Sequence, residues 1–573
     1  MPSRNFEDKN RGLDKRELEI KWIKHLRERE AEELTYKMWE SARMQALQSA
    51  SGVAGGGFTA EITESYEEPP IPDFAGQPSE IDLTNPVNDP VGDPPFAPQY
   101  YYVSSSYAGT PSDGGPSTPW KSLSDVQNNF SSMPMGSIIR FKRGDTFTGT
   151  FSASRSGAAG NPIVFTSYDV DKDDIVIQYG QPEGNADRPK FTGSATGATV
   201  QRLFSVDNRS WINFENLWVR DTGTPDGTRT GEAKVQRAFV FTSWGTSDVG
   251  NCKVSNCLVE KVGVGVYTGP RSINNTVEIC EFRDLRMVRS DAPNTGDNDY
   301  GANGVVVSSS RNLITRNLFY DNWANSIDYT YDGGGIELYA DRNTSVSNNL
   351  ITYNTFYDSN GGVEIGGASG SSHVENVFAY NKFINNGSGV LVQNSGTFRT
   401  FVDRIYFFNN VFVETQNSPR GSSSGLVRFR NTPTGSNSLI FENNIVQLFG
   451  ALSFGRKLPA PNESQNQLDL PAFSHYNNAY LPNIGSTGAL LNLTLQVSNS
   501  SLTPGTGAKV WASTSGNPLN WNYSPTGSSI LIDSGKNQTK IYTNVGVGGG
   551  TITLTDFSGN AIGTPPNIGI LEI

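Results

Sequence analysis

The chain has 573 residues and a net charge of −12, with 18% charged residues and 60 glycines. There is no basic surplus to displace counterions from a phosphate backbone, which excludes nucleic acid as a partner. His25, His373 and His475 never pair with a cysteine or each other at ligand spacing, and no apolar run spans a bilayer, which excludes a zinc site and membrane insertion.

Residues 1–49 read as a helical segment. No Gly or Pro occurs between Asp14 and Gln48, and Ile23, Leu26, Leu34, Met38 and Ala42 recur near helical spacing. Such a helix would be about 50 Å long. Its stripe is too broken for a clean heptad, and Trp22 and Trp39 are costly to leave in water. A helix that docks on another protein is expected, with a solvated charged helix as the alternative. The N-terminal text lacks the apolar region of a secretory signal. Residues 50–99 (SGVAGGGF, EEPPIPDF, NPVNDPVGDPPFAPQ) are rich in Gly, Pro and acid and read as an extended tether.

Residues 100–573 read as strands and turns, with Asn, Ser and Thr in place of the usual helix formers. The glycines that open successive strands, Gly335, Gly362 and Gly389, fall at two intervals of 27, and Gly304 opens an earlier strand at a longer interval. Asn317, Asn354, Asn381, Asn409 and Asn443 sit between apolar pairs on the same beat (TRNLF, TYNTF, AYNKF, FFNNV, FENNI). Within each strand the alternation has period two. Repeats of this length describe coils stacked along one axis, whose asparagines hydrogen-bond to one another and to the turn backbone. Cys252, Cys257 and Cys280 are expected as buried packing.

The opening text, YYVSSSYAGTPSDGGPSTPWKSLSDVQNNF followed by GSIIRFKRGDTFTG, resembles the start of pectate-lyase-like right-handed parallel β-helix proteins. The closing YSPTGSSILIDSGKN and PPNIGILEI resemble their final coils. The resemblance implies an all-β solenoid over residues 100–573, plugged at its first coil by a cap helix near 119–130, matching Trp120 to Phe130. It does not imply one chemistry, because the superfamily holds lyases, hydrolases, epimerases, esterases and silent adhesins. The polygalacturonase, alginate-epimerase and pectate-lyase signature phrases are absent.

A docking helix, a tether and a terminal β-helix together resemble bacteriophage tailspikes and related virion appendages. That resemblance implies a virion location, docking on tail or head proteins through the N-terminal helix, a homotrimer, and a bacterial surface polysaccharide as partner.

Aligning GIELY, GVEIG and GVLVQ turns Ile336/Leu338, Val363/Ile365 and Val390/Val392 inward. Glu337, Glu364 and Leu391 then form one outward column, Tyr339, Gly366 and Gln393 the next, and Val306 and Ser308 hold the same places one coil earlier. One coil later GLVRFRN exposes Arg428 and Arg430. Like charges paired across strands are destabilising, so stacked glutamates call for a reason. A general acid beside an ionised partner is one, and a hard cation such as Ca²⁺ is another. Side chains splayed into water are the third.

Two insertions, RSDAPNTGDNDYGAN and NWANSIDYTYDGGG, enter the same face. They bring Asp291, Asp297, Asp299, Asp328 and Asp332 together with Tyr300, Trp323, Tyr329, Tyr331 and Tyr339, a mixture suited to sugar rings. The expected catalytic residues are Glu337, Glu364 and Asp332. Asp328, Asp299, Tyr339, Trp323, Tyr331, Arg428 and Gln393 are expected to bind substrate, with no obligatory cofactor. The readings are therefore a spike that hydrolyses a surface polysaccharide, a non-enzymatic receptor-binding or structural fibre, and a polysaccharide lyase.

Overall fold

The computed structural model describes residues 98–168, 188–193, 199–221, 232–289, 299–342, 344–393, 400–414, 427–429 and 438–448, with isolated short strands beyond. The expected docking helix and tether lie outside the described residues, except for the last two positions of the tether.

Each coil contributes one short strand to each of three parallel sheets. One coil runs through Leu350–Thr352, Thr355–Tyr357 and Gly361–Gly367, and the next through Val377–Ala379, Lys382–Ile384 and Ser388–Val392. Among the described residues the sheets hold twelve, eleven and nine strands.

The corner between the first two strands of a coil has a fixed construction. Arg316, Tyr353, Tyr380, Asn409 and Asn443 all adopt φ between 53° and 58° there. A left-handed residue turns the chain but leaves the following N–H pointing along the axis with no strand partner. The next residue answers that need. Asn317 N–H and Nδ2 both donate to Asn354 Oδ1 (2.9 and 3.0 Å), and Asn354 repeats the pattern onto Asn381, Asn381 onto Asn410, and Asn410 onto Asn444.

The sequence expectation of a ladder through Asn409 and Asn443 is off by one residue. Those two are the left-handed corner residues, and the second Asn of each pair forms the rung. A parallel ladder runs through Asn275, Asn312, Asn349 and Asn376.

The cysteines belong to this system. Cys252 N–H donates to Asn275 Oδ1 at 3.1 Å, and Cys280 N–H donates to Asn317 Oδ1 at 2.9 Å. They stand at the N-terminal rungs of the two ladders, where a small apolar side chain replaces Asn. All three are buried and free.

Behind the nine-stranded sheet, Phe282, Phe319, Phe356, Phe383 and Phe412 stack with centroids 5.0, 5.0, 4.7 and 4.5 Å apart. This column explains the marker glycines. A Cβ on Gly335 would collide with the Phe356 ring, and one on Gly362 would lie 2.7 Å from Phe383 Cδ1. Glycine recurs on the beat because each position meets both a phenylalanine ring and the carbonyl oxygen of the next coil's glycine, 2.6 Å away for Gly362.

At the N-terminal end a helix closes the first coil and buries Leu123 and Val126, with Phe130 just after it. It spans Leu123–Asn129, three residues later than the expected start at Trp120. Ser122 caps it, exchanging hydrogen bonds with Asp125 at 3.1 and 3.0 Å. Trp120 stacks instead on Tyr101, centroids 5.0 Å apart.

Candidate functional site

The outward column of the nine-stranded sheet is Val240, Tyr267, Val306, Glu337, Glu364, Leu391 and Arg428, each in register with the next. Ile336, Leu338, Val363, Ile365, Val390 and Val392 are buried, so the sheet presents the face that the period-two alternation indicates. Glu337 and Glu364 are therefore direct neighbours on adjacent parallel strands, about 4.8 Å apart at the backbone.

Above them lies a cleft of about 690 Å³. Both insertions wall it as antiparallel hairpins. Met287–Arg289 pairs with Tyr300–Gly301, and Ala324–Ser326 pairs with Thr330–Asp332. The walls bring Asp328, Tyr331, Asp332, Tyr339 and Gln393 around the two glutamates. Asp332 Oδ1 also accepts the N–H of Gly333 at 2.8 Å, which fixes the turn leading into the Glu337 strand.

Glu337 has the most altered chemistry. Burial on the cleft floor pushes its carboxyl well above the usual range, and the nearby charges of Glu364 and Asp332 push the same way. Asn303 opposes them, its Nδ2 donating to Glu337 Oε2 at 2.8 Å. The balance favours the protonated form of Glu337 beside a second carboxyl group.

Two expected substrate contacts have other work. Trp323 is fully buried, and its Nε1 donates to the Asp358 carbonyl at 2.7 Å and to Asp358 Oδ1 at 3.0 Å. It meets Tyr331 edge-on at 5.7 Å, so it supports a cleft residue from behind and touches no substrate. An indole with a hydrogen-bond partner is stable under a loop, which composition could not reveal. Asp299 touches the cleft, but its Oδ2 accepts from Ser326 Oγ (2.6 Å), Ile327 N (2.8 Å) and Asp328 N (3.1 Å). It ties one hairpin's stem to the other's turn. Arg428 is in register with Leu391, as expected, and its side chain lies outside the described residues, as do Asp291, Asp297 and Arg430.

The sequence reading missed three residues. Asn303 stands one coil before Gly334, in register with it. Arg237 also lines the cleft, with its guanidinium 5.1 Å from the ring centroid of Tyr267. Asp341 continues the period-two series from Glu337 and Tyr339, and burial raises its carboxyl too. Only Asp341 had a signal in the local text, because the others reach the cleft from coils whose register needed the whole stack.

Among the described residues, no group of three or more His, Cys, Asp or Glu side chains gathers as a metal site. No helix among them is long and apolar enough to cross a membrane.

Residues 241–446 match the family model described as right handed beta helix region. The fold is the right-handed parallel β-helix.

No curated relative matches the chain in sequence. Among solved structures, the pectate lyase Pel9A is similar over 83% of this chain and 96% of its own, at 14% identity and a TM-score of 0.45. The GH136 lacto-N-biosidase from Eubacterium ramulus covers 67% of this chain and 68% of its own, at 14% and 0.40. An alginate lyase from Paenibacillus sp. str. FPU-7 covers 63% and 96%, at 13% and 0.37.

Proposed function

We propose that this β-helix binds and hydrolyses a polysaccharide, with Glu337 as acid/base and Glu364 as nucleophile. The carrying observation is the in-register glutamate pair on the floor of the cleft, where burial and the neighbouring carboxylates raise the pKa of Glu337. A backbone spacing of about 4.8 Å suits the carboxyl separation of about 5–5.5 Å that a retaining mechanism uses.

In the first step Glu337 gives its proton to the leaving glycosidic oxygen while the Glu364 carboxylate bonds to the anomeric carbon. In the second, water loses a proton to the Glu337 carboxylate and displaces Glu364. Tyr331 and Tyr339 offer ring faces to sugar C–H groups, and Gln393, Asp328 and Asp332 offer hydrogen bonds to hydroxyls. Asn303 orients Glu337.

A second reading rests on Arg237. A guanidinium on the cleft wall beside Tyr267 suits the carboxylate of a uronate, and β-elimination would then use Tyr267 as the base. Incubation with bacterial surface polysaccharides separates the two. Chain shortening without an ultraviolet-absorbing unsaturated product, abolished by Glu337→Gln and by Glu364→Gln, supports hydrolysis. Shortening with that product, insensitive to Glu364→Gln, supports elimination. Absence of shortening on every polysaccharide leaves a receptor-binding fibre.

The setting we propose is a virion spike or appendage. The support is the division of the sequence into a helical segment at 1–49, a tether at 50–99 and the β-helix. Removing residues 1–49 should abolish incorporation into particles, and incorporation of the shortened chain would sink the assignment. A sedimentation experiment on the full chain tests the homotrimer.

A further inference from the structure

The outer face of the nine-stranded sheet carries a second cluster at the far end of the strand whose first residue, Arg237, lines the cleft, and on the coil before it. Trp244 lies two residues past the strand Arg237–Thr242 and is 66% exposed. Its backbone is pinned, because Trp244 N and Gly245 N both donate to Asn208 Oδ1, at 2.9 and 3.2 Å.

One coil earlier, Arg202 Nη1 reaches along the strand Phe204–Asp207 to both carboxylate oxygens of Asp207, at 3.1 and 2.9 Å. Ser205 Oγ donates to the same carboxylate at 2.9 Å. Ser205 belongs to the outward column, since it pairs with Val240 and through it with Tyr267, Val306 and Glu337. The Arg202 side chain therefore crosses the outer face, and the Trp244 ring lies 5.6 Å from its guanidinium. An exposed indole is thus held against the same face as the glutamates. Val240 stands three coil steps before Glu337, about 14 Å along the axis.

We propose that Trp244, with Arg202 and Asp207, forms a remote saccharide subsite for the chain whose reacting bond lies over Glu337 and Glu364. The inference rests on the polysaccharide reading and adds to it a direction and a minimum length. The substrate runs across the strands, obliquely from the glutamates toward the far end of the Arg237–Thr242 strand and the N-terminal coils. A pyranose ring lays its C–H face on the indole, and the Arg202–Asp207 pair offers donors and acceptors to its hydroxyls. The pinned backbone limits the ordering cost of binding. Fragments that fill only the cleft do not reach this platform, whereas longer ones do, so affinity rises with chain length at one defined step.

The test uses the full chain with Glu337→Gln, which stops turnover, on a printed array of bacterial capsular and O-antigen polysaccharides. Size-fractionated fragments of any polysaccharide that is retained follow. The expected result is an affinity step of about tenfold once fragments exceed about 14 Å, lost in Trp244→Ala and largely restored in Trp244→Phe. The same length dependence in Trp244→Ala overturns the proposal, and so does retention of no polysaccharide at all. Retention by a wild-type chain that cleaves nothing would defeat the hydrolytic assignment alone, because the array reads binding only.

Discussion

Asn303 reaches across one coil to donate its Nδ2–H to Glu337 Oε2 at 2.8 Å. The bond favours the ionised form of a carboxyl that its surroundings otherwise keep protonated. Asn303→Leu should therefore raise the Glu337 pKa further. If Glu337 is the general acid, the alkaline limb of the pH–rate profile moves to higher pH and kcat falls. A limb that stays in place, measured on the polysaccharide that the wild type cleaves, removes Glu337 from the acid role.

The same carboxyl links stability to pH. A raised pKa means that the folded chain keeps a proton which the unfolded chain releases above its ordinary value of 4.5. The resulting cost is absent below that pH and grows as pH rises toward the folded value. Glu337→Gln removes it, so the variant should be more stable than the wild type at pH 7. Near pH 4 it should match the wild type in chemical denaturation.

His373 is fully buried, with Nε2 2.7 Å from the carbonyl oxygen of Gly366 in the cleft wall. Burial lowers its pKa from 6.5 to about 4. The unfolded chain binds a proton that the folded chain refuses between those values, so stability falls as pH drops through that window. His373→Asn should flatten that part of the stability curve, by roughly 3 kcal/mol at its acid end. Denaturant midpoints taken between pH 7 and pH 4 would show whether it does.

Gly335 is constrained by the Phe356 ring and by the Gly362 carbonyl oxygen, 2.8 Å from where its β-carbon would lie, rather than by its own φ. Gly335→Ala should lower the melting temperature sharply, at a cost of about 3 kcal/mol, because the β-carbon meets the ring. Phe356→Leu in the same chain should recover part of the loss. A strictly additive double variant in calorimetry would mean that the two positions do not share the space.

The stack was legible in the sequence because its markers are local. A glycine every 27 residues and an Asn between apolar pairs both come from contacts that repeat with each coil. The Glu337–Glu364 register followed from the same count. Trp323, by contrast, reads the same whether its indole faces a sugar or the backbone of Asp358. Asp299 likewise reads as one more loop acid until its three donors are in place. Arg237 and Asn303 come from coils separated by insertions, which break the beat that would have aligned them with Glu337. The shift from Asn409 to Asn410 shows the limit within a regular coil. In an Asn-Asn pair, only the sign of φ tells the corner from the rung.

The asparagine ladders point one way. Every rung from Asn317 to Asn410 donates its N–H and its Nδ2 to the next coil in sequence, and Nδ2 of Asn354, Asn381, Asn410 and Asn444 also reaches back to a carbonyl one coil earlier. A chain leaving the ribosome thus presents, at each moment, a last coil whose donors await a residue not yet made. The unfinished end is polar and the finished coils behind it are sealed, so growth proceeds like a zipper closed from one end. The cysteines, with no amide to offer, stand at the rungs synthesised first, where the zipper begins.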